Sequence, residues 1–504
     1  MESSEHDQDM QVADWEGGDD MDEEFRNGDC VELEFDSGDD APVDSDGDDG
    51  ICDENPGEEI GVIDESAIYS DEEAQPVVDD SLSSVAHKES VLSVAVNPVD
   101  WRSLATGGQD DVAVLWTLEE HAAGLRCVER CRLEGHSDSV VQVAFSHDGA
   151  FVATGSYDGS VRVWAAANGA LVHSLEGPSK EVEWILWHPK GHAILAGSTD
   201  AMAWMWWAPT GKLMQIFAGH AQSVTCGCWG LGGKVICTGS EDRGVIVWNP
   251  RAGAPQQHMR QVHGSAVISI CSHPEAPIVV TGSEDATVKV LQMETGKELA
   301  CLTGHLDSVE SVGFNAPSPG GLLLLATASM DGKVFVWDGK TFDLRCTLAD
   351  HFERGGIVRF RWLPAPQACW LCTCATDQTL RLFNALSGAC ARTFRGHADT
   401  VLDLDLALGP TQAGSAQRLY VVSGSDDKSC KVFATTLVAG GEAPRADGGG
   451  AAPAADGAAA PAAAAAAGPM TPPPGAALPT AAVAASPQAP GAPTADRSPG
   501  ALPV

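Results

Sequence analysis

Short apolar runs separated by turn residues fill the middle of the chain. In one stretch the runs SVVQVAF, AFVATGS, SVRVWAA and ALVHSL are broken by the turns SHDG, YDG and NG. The runs are rich in β-branched residues and are bounded by Asx-Gly pairs, which is typical of strands joined by tight turns. The pattern therefore predicts four consecutive short strands between residues 139 and 175.

This unit recurs, and an aspartate marks each copy. The eight aspartates follow one another at steps of 42–50 residues and are Asp110, Asp158, Asp200, Asp242, Asp285, Asp331, Asp377 and Asp427. A Ser or Thr stands four residues before seven of them, and an aromatic residue stands six residues after seven of them. A histidine precedes seven of them, and Pro178 takes its place in the third copy. Eight copies with one spacing predict eight equivalent structural units.

The repeat resembles a known one. A unit of 40–50 residues with four strands, Gly-His near one end and Trp near the other is similar to the WD40 repeat. The resemblance implies an all-β fold, an eight-bladed WD40 β-propeller. It also implies that His, Ser/Thr, Asp and Trp form a buried chain of hydrogen bonds. Three full sets are His136/Thr154/Asp158/Trp164, His220/Thr238/Asp242/Trp248 and His305/Thr327/Asp331/Trp337.

A His/Asp/hydroxyl set also occurs in hydrolase triads. Catalysis needs one such site, whereas this chain carries near-copies in every repeat, so a structural role is predicted and no enzyme activity is expected. The sequence shows no P-loop. Its CxxC pair (Cys369/Cys372) and His-x₃₋₅-His pairs (His188/His192 and His258/His263) lie apart and do not combine at the spacing of a zinc finger. No metal site and no cofactor are therefore expected.

The charge divides the chain into three parts. Residues 1–80 carry 32 acidic residues against one basic residue, residues 81–436 carry 35 against 27, and the remainder carries 4 against 2, which gives the total of −41. We predict a disordered acidic arm over 1–78, a propeller over 79–438 and a disordered Ala/Pro/Gly-rich tail over 439–504. The repeats are expected at 87–116, 136–164, 178–206, 220–248, 263–291, 305–337, 351–383 and 397–433.

The composition restricts partners and location. Phosphates need compensating Lys and Arg, so direct nucleic-acid binding is not expected, and the acidity favours a basic protein as partner. No apolar run reaches the roughly 18–20 residues that span a bilayer. The acidic N-terminus matches neither a signal nor a transit peptide, and the 15 cysteines are read as reduced. A cytoplasmic monomer is expected, with the nucleus as a second location.

The last repeat lacks a clear fourth strand of its own. After Phe433 the sequence runs into the Ala/Pro tail, while DSLSSVA, just before His87, has strand character. We predict that Ser81–Val85 pairs with the last repeat and closes the ring, which leaves no free sheet edge.

The third repeat is unusual because it is rich in tryptophan and lacks both the His and the Thr. Its tryptophans are Trp184, Trp187, Trp204, Trp206 and Trp207. Two interpretations stay open: repacking around the lost polar network, or a patch that binds a partner. Alternation along a strand places Trp184 and Trp187 on opposite faces unless the strand contains a bulge, and it places Trp204 and Trp206 on one face with Trp207 on the other.

A narrower family resemblance rests on longer motifs. The stretch EVEWILWHPKGHAILAGSTDAMAWMWWAPTGK, with HKESVLSVAVNP, TGGQDDVAVLW, GHSDSVVQVAFSHDG and SDDKSCKVF, is similar to the angio-associated migratory cell protein family over about residues 78–436. The resemblance implies two roles. One is a signalling or cell-migration scaffold. The other is a dedicated chaperone of a basic large-subunit ribosomal protein, the role of a fungal relative.

The second role agrees better with the acidity, and it predicts a binding rim. Residues just before the repeat aspartates, or two after the histidines, are often acidic. We predict that such residues bind Lys and Arg side chains and that Tyr157 and Trp184 add apolar or cation–π contacts. The predicted acidic residues are Asp138, Glu241, Glu284, Asp307, Asp399 and Asp426. An alternative function is a ubiquitin-ligase adaptor, for which VFVWDGK (Val334–Lys340) is a loose motif.

Overall fold

The computed structural model describes residues 78–121, 124–316, 321–351, 355–365, 367–410 and 417–437. The predicted disordered arm (except Val78) and the predicted tail lie outside the described residues. The described residues form 32 strands in eight four-stranded antiparallel sheets and contain no helix. No described helix is therefore available to cross a membrane. The predicted all-β propeller with eight blades is confirmed.

The first four blades follow the chain in order. Blade 1 comprises β2 (Val91–Val96), β3 (Ser103–Gly108), β4 (Ala113–His121) and β5 (Gly124–Leu133). Blade 2 comprises β6 (Val140–Phe145), β7 (Phe151–Ser156), β8 (Val161–Ala165) and β9 (Leu171–Leu175). Blade 3 comprises β10 (Val182–Trp187), β11 (Ala193–Ser198), β12 (Met202–Trp207) and β13 (Lys212–Ala218). Blade 4 comprises β14 (Cys226–Gly230), β15 (Val235–Gly239), β16 (Val245–Trp248) and β17 (Pro255–Met259).

The next three blades repeat this order, and the last blade takes its fourth strand from the N-terminal end of the propeller. Blade 5 comprises β18 (Val267–Ser272), β19 (Ile278–Ser283), β20 (Val288–Gln292) and β21 (Glu298–Leu302). Blade 6 comprises β22 (Ser311–Phe314), β23 (Leu324–Ala328), β24 (Val334–Asp338) and β25 (Leu344–Leu348). Blade 7 comprises β26 (Ile357–Trp362), β27 (Trp370–Ala375), β28 (Leu380–Asn384) and β29 (Ala389–Phe394). Blade 8 comprises β30 (Val401–Leu408), β31 (Gln417–Ser425), β32 (Ser429–Leu437) and β1 (Ser83–Ala86).

The core lies between adjacent blades. The first strand of each blade contacts the first strands of its neighbours, so these eight strands surround the axis of the ring. Apolar residues of successive blades interdigitate in shared clusters; Val161 of blade 2, for example, packs with Ile185 and Trp206 of blade 3. Each blade therefore buries its faces against two neighbours, and a blade alone would leave both exposed.

The N-terminal strand closes the ring. Ser83 to Ala86 pair antiparallel with Val432 to Ser429 of β32. Asp79 reinforces this contact because its carboxylate lies 2.7 Å from the Lys431 ammonium. The prediction that the segment before His87 supplies the missing strand is confirmed, with the paired residues shifted slightly towards the C-terminus.

The loops divide between two faces. We call the upper face the one formed by the loops before each first strand and by the turns between second and third strands. The lower face carries the turns between first and second strands and the loops between third and fourth strands. Because the strands are antiparallel, every blade contributes the same kinds of loop to the same face.

Candidate protein-binding face

Buried hydrogen bonds fix the loops of the upper face, and blade 4 shows the arrangement. His220 Nδ1 lies 2.9 Å from Asp242, and His220 Nε2 lies 2.8 Å from the Thr238 hydroxyl. The Trp248 indole donates to that hydroxyl at 2.8 Å. The four side chains join the loop before the first strand to the turn after the second strand, so they hold the two loops of the blade together.

The predicted set of blade 2 makes the same contacts. His136 Nδ1 lies 2.9 Å from Asp158, and His136 Nε2 lies 2.7 Å from the Thr154 hydroxyl. The Trp164 indole donates to the Thr154 hydroxyl at 3.0 Å. Thr154 and Trp164 are both buried, so these two residues act inside the blade and offer no surface to a partner.

The predicted set of blade 6 is also brought together. His305 Nδ1 lies 3.2 Å from Asp331, and His305 Nε2 lies 3.0 Å from the Thr327 hydroxyl. The Trp337 indole donates to the Thr327 hydroxyl at 3.1 Å, and both Thr327 and Trp337 are buried. The structure adds a fourth complete set, which sequence reasoning did not single out: His87/Thr106/Asp110/Trp116.

The ionisation of this network follows from its contacts. Burial opposes the charge on Asp158, but hydrogen bonds from Ser160 and His136 outweigh it and lower its pKa to about 2. Burial also lowers the pKa of His136. At neutral pH a carboxylate therefore accepts from a neutral imidazole in this blade, which leaves no buried unpaired charge.

A second contact is the same in all eight blades and positions the residue before each repeat aspartate. Its backbone N–H donates to a carbonyl of the loop before the first strand, at 2.9–3.1 Å. The donors are Gln109, Tyr157, Thr199, Glu241, Glu284, Met330, Thr376 and Asp426. Their side chains are therefore placed on the upper face by backbone bonds that do not depend on what the side chain is.

The upper face is acidic and the lower face is not. The described loops and turns of the upper face hold 21 acidic and 7 basic residues, a net charge of −14, and those of the lower face hold 5 and 6, a net charge of +1. Without the eight repeat aspartates, the upper face still has 13 acidic residues against 7 basic ones. A cation that approaches the propeller is therefore attracted to the upper face, whereas the lower face is close to neutral.

All six predicted rim acids lie on the upper face. Asp138, Glu241, Glu284, Asp307 and Asp399 are exposed, and Asp426 is half-buried. Three of them share one local geometry, since the carboxylates of Asp138, Asp307 and Asp399 each accept the N–H of the following residue at 2.7–2.8 Å. The fold places the set on one face, and its role in binding stays a prediction.

Trp184 requires a correction. It is only 7% exposed, and its indole N–H donates to the Val224 carbonyl at 2.8 Å, so it packs between blades 3 and 4 and offers no surface to a partner. The other tryptophans of blade 3 also serve packing. Trp204 replaces the missing histidine by donating to Asp200 at 3.2 Å, and it stacks on Trp206. These contacts support the repacking interpretation.

The predicted faces of the tryptophans are confirmed. Trp187 packs towards blade 2 and donates to the Ala144 carbonyl at 3.0 Å, on the side of the sheet away from Trp184. Trp204 and Trp206 share the cluster between blades 2 and 3, while Trp207 belongs to the cluster between blades 3 and 4.

Tyr157 lies in an acidic cluster that reaches from blade 2 to blade 4. Burial raises the pKa of Tyr157, and the carboxylates of Glu183, Asp138 and Glu181 raise it further. Burial likewise raises the pKa of Glu183, helped by Glu241 and Glu181. We call these five residues, Tyr157, Asp138, Glu181, Glu183 and Glu241, the Tyr157 cluster. Its mutual repulsion would be relieved by a bound cation, and the 41% exposed Tyr157 ring is accessible to one.

Glu183 departs from a pattern that the other blades follow. In six blades the first strand begins with a bulge, and the bulged residue is half-buried at the upper end of the strand. Five of these residues are apolar: Leu92, Val141, Ile268, Val358 and Leu402. The sixth is Glu183. The centre of the upper face is therefore an apolar ring interrupted by a carboxylate, and Glu310 holds the corresponding place in blade 6.

Sequence reasoning missed Glu181 and Glu183. The rule of taking the second residue after each histidine gives Lys180 in blade 3, because Pro178 stands at the histidine position. A signal was available, since Glu183 is a charged residue five positions after Pro178, whereas four other repeats have Leu, Val or Ile five positions after the histidine.

The loose ligase-docking motif has a structural role. Val334–Asp338 is the third strand of blade 6, and its valines and tryptophan are buried. The Asp338 carboxylate accepts the N–H groups of Lys340 and Thr341 and pairs with Arg345 at 3.0 Å. The motif therefore builds a turn on the lower face.

Comparison with known proteins agrees with this architecture. The family model for the WD domain, G-beta repeat, matches residues 125–165, 169–206, 211–249, 255–291, 296–338 and 388–433. The human angio-associated migratory cell protein is 28% identical over 372 residues, which cover 70% of this chain and 80% of that protein. The nuclear distribution protein PAC1 of Gibberella zeae is 31% identical over 166 residues, which cover 32% of this chain and 35% of that protein.

Two solved structures share the fold. Sqt1 of Saccharomyces cerevisiae superposes with a TM-score of 0.63 at 22% identity and covers 70% of this chain and 98% of its own. Sqt1 of Chaetomium thermophilum, solved bound to the N-terminus of the ribosomal protein L10, gives a TM-score of 0.60 at 23% identity and covers 71% of this chain and 100% of its own.

Proposed function

We propose that this chain, a WD40-repeat protein homologous to the angio-associated migratory cell proteins, escorts a basic large-subunit ribosomal protein during ribosome assembly. In this proposal the upper face holds a Lys/Arg-rich segment of the client until delivery. The protein acts by binding alone and needs no cofactor.

The charge difference between the faces carries the proposal. The loops of the upper face have a net charge of −14 and those of the lower face +1. A cationic segment would be attracted to the upper face from a distance, which raises the association rate, and would then be retained by local contacts. The fungal structure bound to the N-terminus of L10 supports a client of this kind.

The residues at the centre of the upper face suggest how a client segment is recognised. Lys or Arg side chains would meet Glu181, Glu183 and Glu241, and the Tyr157 ring would cover an adjacent cation. Apolar client side chains would occupy the ring of Leu, Val and Ile residues around the axis. The proposed client segment is therefore basic with interspersed apolar residues, which a purely acidic surface would not select.

Charge reversal on each face tests the proposal. The full chain would be titrated with a labelled peptide of the N-terminal segment of ribosomal protein L10, read by fluorescence anisotropy. The variant Glu241→Lys/Glu284→Lys/Asp426→Lys alters the upper face, and Glu275→Lys/Glu294→Lys/Asp343→Lys makes the same change of six charges on the lower face. We expect the first to weaken binding at least about tenfold, or ~1.4 kcal/mol, and the second to have little effect. Equal effects would contradict a specific upper-face site.

The scaffold and adaptor alternatives are separated by the partners that the protein captures. Affinity purification of the full chain from cells at low salt, followed by mass spectrometry, should give one free basic ribosomal protein. Recovery of ligase subunits or membrane-proximal signalling proteins in its place would favour an adaptor. We further propose that the protein is a cytoplasmic monomer that also enters the nucleus; cell imaging and light scattering test these points.

A further inference from the structure

We propose that His147, Asp148 and His192 form a zinc-binding site on the lower face, between blades 2 and 3. His147 and Asp148 lie in the turn after β6, and His192 lies in the corresponding turn after β10. One ligand atom from each residue lies within 4.8 Å of the other two. Two imidazoles and one carboxylate are ligands that zinc accepts. This site is independent of the proposed escort function, which uses the other face.

The carboxylate is already positioned by its neighbours. One oxygen of Asp148 accepts the Ser146 hydroxyl at 2.6 Å and the Ala150 N–H at 3.1 Å. The other oxygen lies 3.0 Å from His192 Nε2. Outer contacts of this kind orient a metal ligand and raise its affinity. Asp148 therefore has one oxygen held by the turn and one directed at the imidazole of the next blade.

Aromatic packing orients His192. Its ring meets Phe151 edge-on at 5.6 Å and Trp207 edge-on at 6.1 Å, while the His147 ring lies 5.2 Å away. His192 is half-buried, whereas His147 and Asp148 are exposed. One ligand is thus fixed by the core of blades 2 and 3, while His147 lies exposed beside it.

The required movement is small. In a tetrahedral zinc site with bonds of about 2.0–2.1 Å, ligand atoms lie roughly 3.4 Å apart. The Asp148–His192 pair is at 3.0 Å, so the remaining adjustment falls on the exposed His147. Three protein ligands leave the fourth tetrahedral position open to solvent. The ion would connect two blades and present a vacant coordination position on the lower face.

No metal site is expected from the sequence alone, because its CxxC and His-x₃₋₅-His pairs do not combine at the spacing of a zinc finger. The ligands here are adjacent in space while 44 residues separate Asp148 from His192. The propeller repeats the turn after each first strand, and so brings the two segments together. Alternatively, the hydrogen bond between Asp148 and His192 serves only to link the two blades. The experiment must distinguish this role from metal binding.

Zinc titration of the full chain makes this separation. The protein would be stripped with a chelator, kept reduced, and titrated with ZnCl₂ by calorimetry in excess Mg²⁺, which occupies simple carboxylate sites. Variants His147→Ala and His192→Ala remove ligands from the site. His121→Ala is the matched control, because His121 lies 3.4 Å from Glu119 and the described residues place no third ligand beside that pair.

The wild type and His121→Ala should bind one equivalent of zinc that Mg²⁺ does not displace, and both ligand variants should weaken this binding at least about tenfold. Zinc should also raise the melting temperature of the wild type but not that of His147→Ala, whose exposed side chain is not needed for folding. The proposal is overturned if the wild type binds no zinc under these conditions. It is also overturned if the variants bind zinc as tightly as the wild type, in which case Asp148 and His192 serve only to link the two blades.

Discussion

Arg359 of blade 7 donates to the carboxylate of Asp403 in blade 8 at 2.9 Å, beside the axis of the ring. The second oxygen of Asp403 accepts the Ser93 hydroxyl and the Val94 N–H of blade 1, both at 3.0 Å. Asp403 is 1% exposed. One buried carboxylate therefore joins three consecutive blades, at the place where the first and last repeats of the chain meet.

Replacing this carboxylate should loosen the ring. We expect Asp403→Asn to lower the free energy of unfolding by about 2–3 kcal/mol, because it removes the negative charge from the contacts with Arg359, Ser93 and Val94 and leaves the Arg359 guanidinium without an anionic partner. Urea unfolding followed by tryptophan fluorescence measures this change. Asp399→Asn, an exposed carboxylate in the preceding loop, should change stability by less than about 0.5 kcal/mol. Similar values for the two variants would contradict the role assigned to Asp403.

The hydroxyl at the centre of each polar network should also contribute to the stability of the fold. Thr238→Val keeps the shape of the side chain but leaves His220 Nε2 and the Trp248 indole N–H without the oxygen they share. We expect a loss of about 1–3 kcal/mol in urea unfolding, because buried polar groups become unsatisfied. Thr210→Val, at an exposed loop position of blade 3, serves as the control. No difference between these variants would show that the network is not needed for stability.

Two truncations test the closure of the ring. A chain that begins at Asp79 keeps β1 and the Asp79–Lys431 contact, and should fold as the full chain does. A chain that begins at His87 lacks β1 and exposes the edge of β32, so it should unfold at lower temperature and aggregate. Circular dichroism melts and size-exclusion chromatography compare the two. Equal solubility and melting temperature would show that β1 is dispensable.

Acidification should destabilise the propeller in two stages. The pKa values of His136, His263 and His351 are lowered by burial, so below pH about 6.5 the unfolded chain binds more protons than the folded one and stability falls. The pKa of Asp158, about 2, is below its ordinary value, so its contribution is lost as pH falls from about 4 to 2.

Urea unfolding at a series of pH values measures this dependence. The fall in stability between neutral pH and pH about 5 should be smaller in His136→Asn, because that variant lacks one of the histidines whose pKa is lowered by burial. The comparison uses slopes against pH and not absolute stabilities, since the substitution also removes hydrogen bonds. An identical slope in the variant would contradict a neutral His136 in the folded state.

Glu183 should bind client at the expense of stability. Burial and neighbouring carboxylates disfavour its charge, so Glu183→Leu, which installs the residue type of the other bulges, should stabilise the protein by ~0.5–1 kcal/mol. The same variant should weaken binding of the basic peptide several-fold. Glu275→Leu on the lower face is the control for loss of one negative charge. Unchanged peptide affinity would remove Glu183 from the proposed site.

The repeat spacing was sufficient to predict the blades, the polar networks and the closing strand. Each depends on a local pattern: strand periodicity, a turn aspartate with its histidine, and an unpaired strand-like segment before His87. The position of Trp184 could not be predicted in the same way. Its burial depends on the first strand of blade 4, which approaches so closely that its Gly227 leaves space for the indole ring.

The sequence by itself determined the number of blades and the acidity of the loops, because both are properties of residues close together in the chain. Only the tertiary structure decided which charges are neighbours. The Tyr157 cluster draws residues from three blades, and His147, Asp148 and His192 meet across two. In each case the contact arises because the propeller brings equivalent turns of successive repeats to one face, so side chains tens of residues apart share one electrostatic environment.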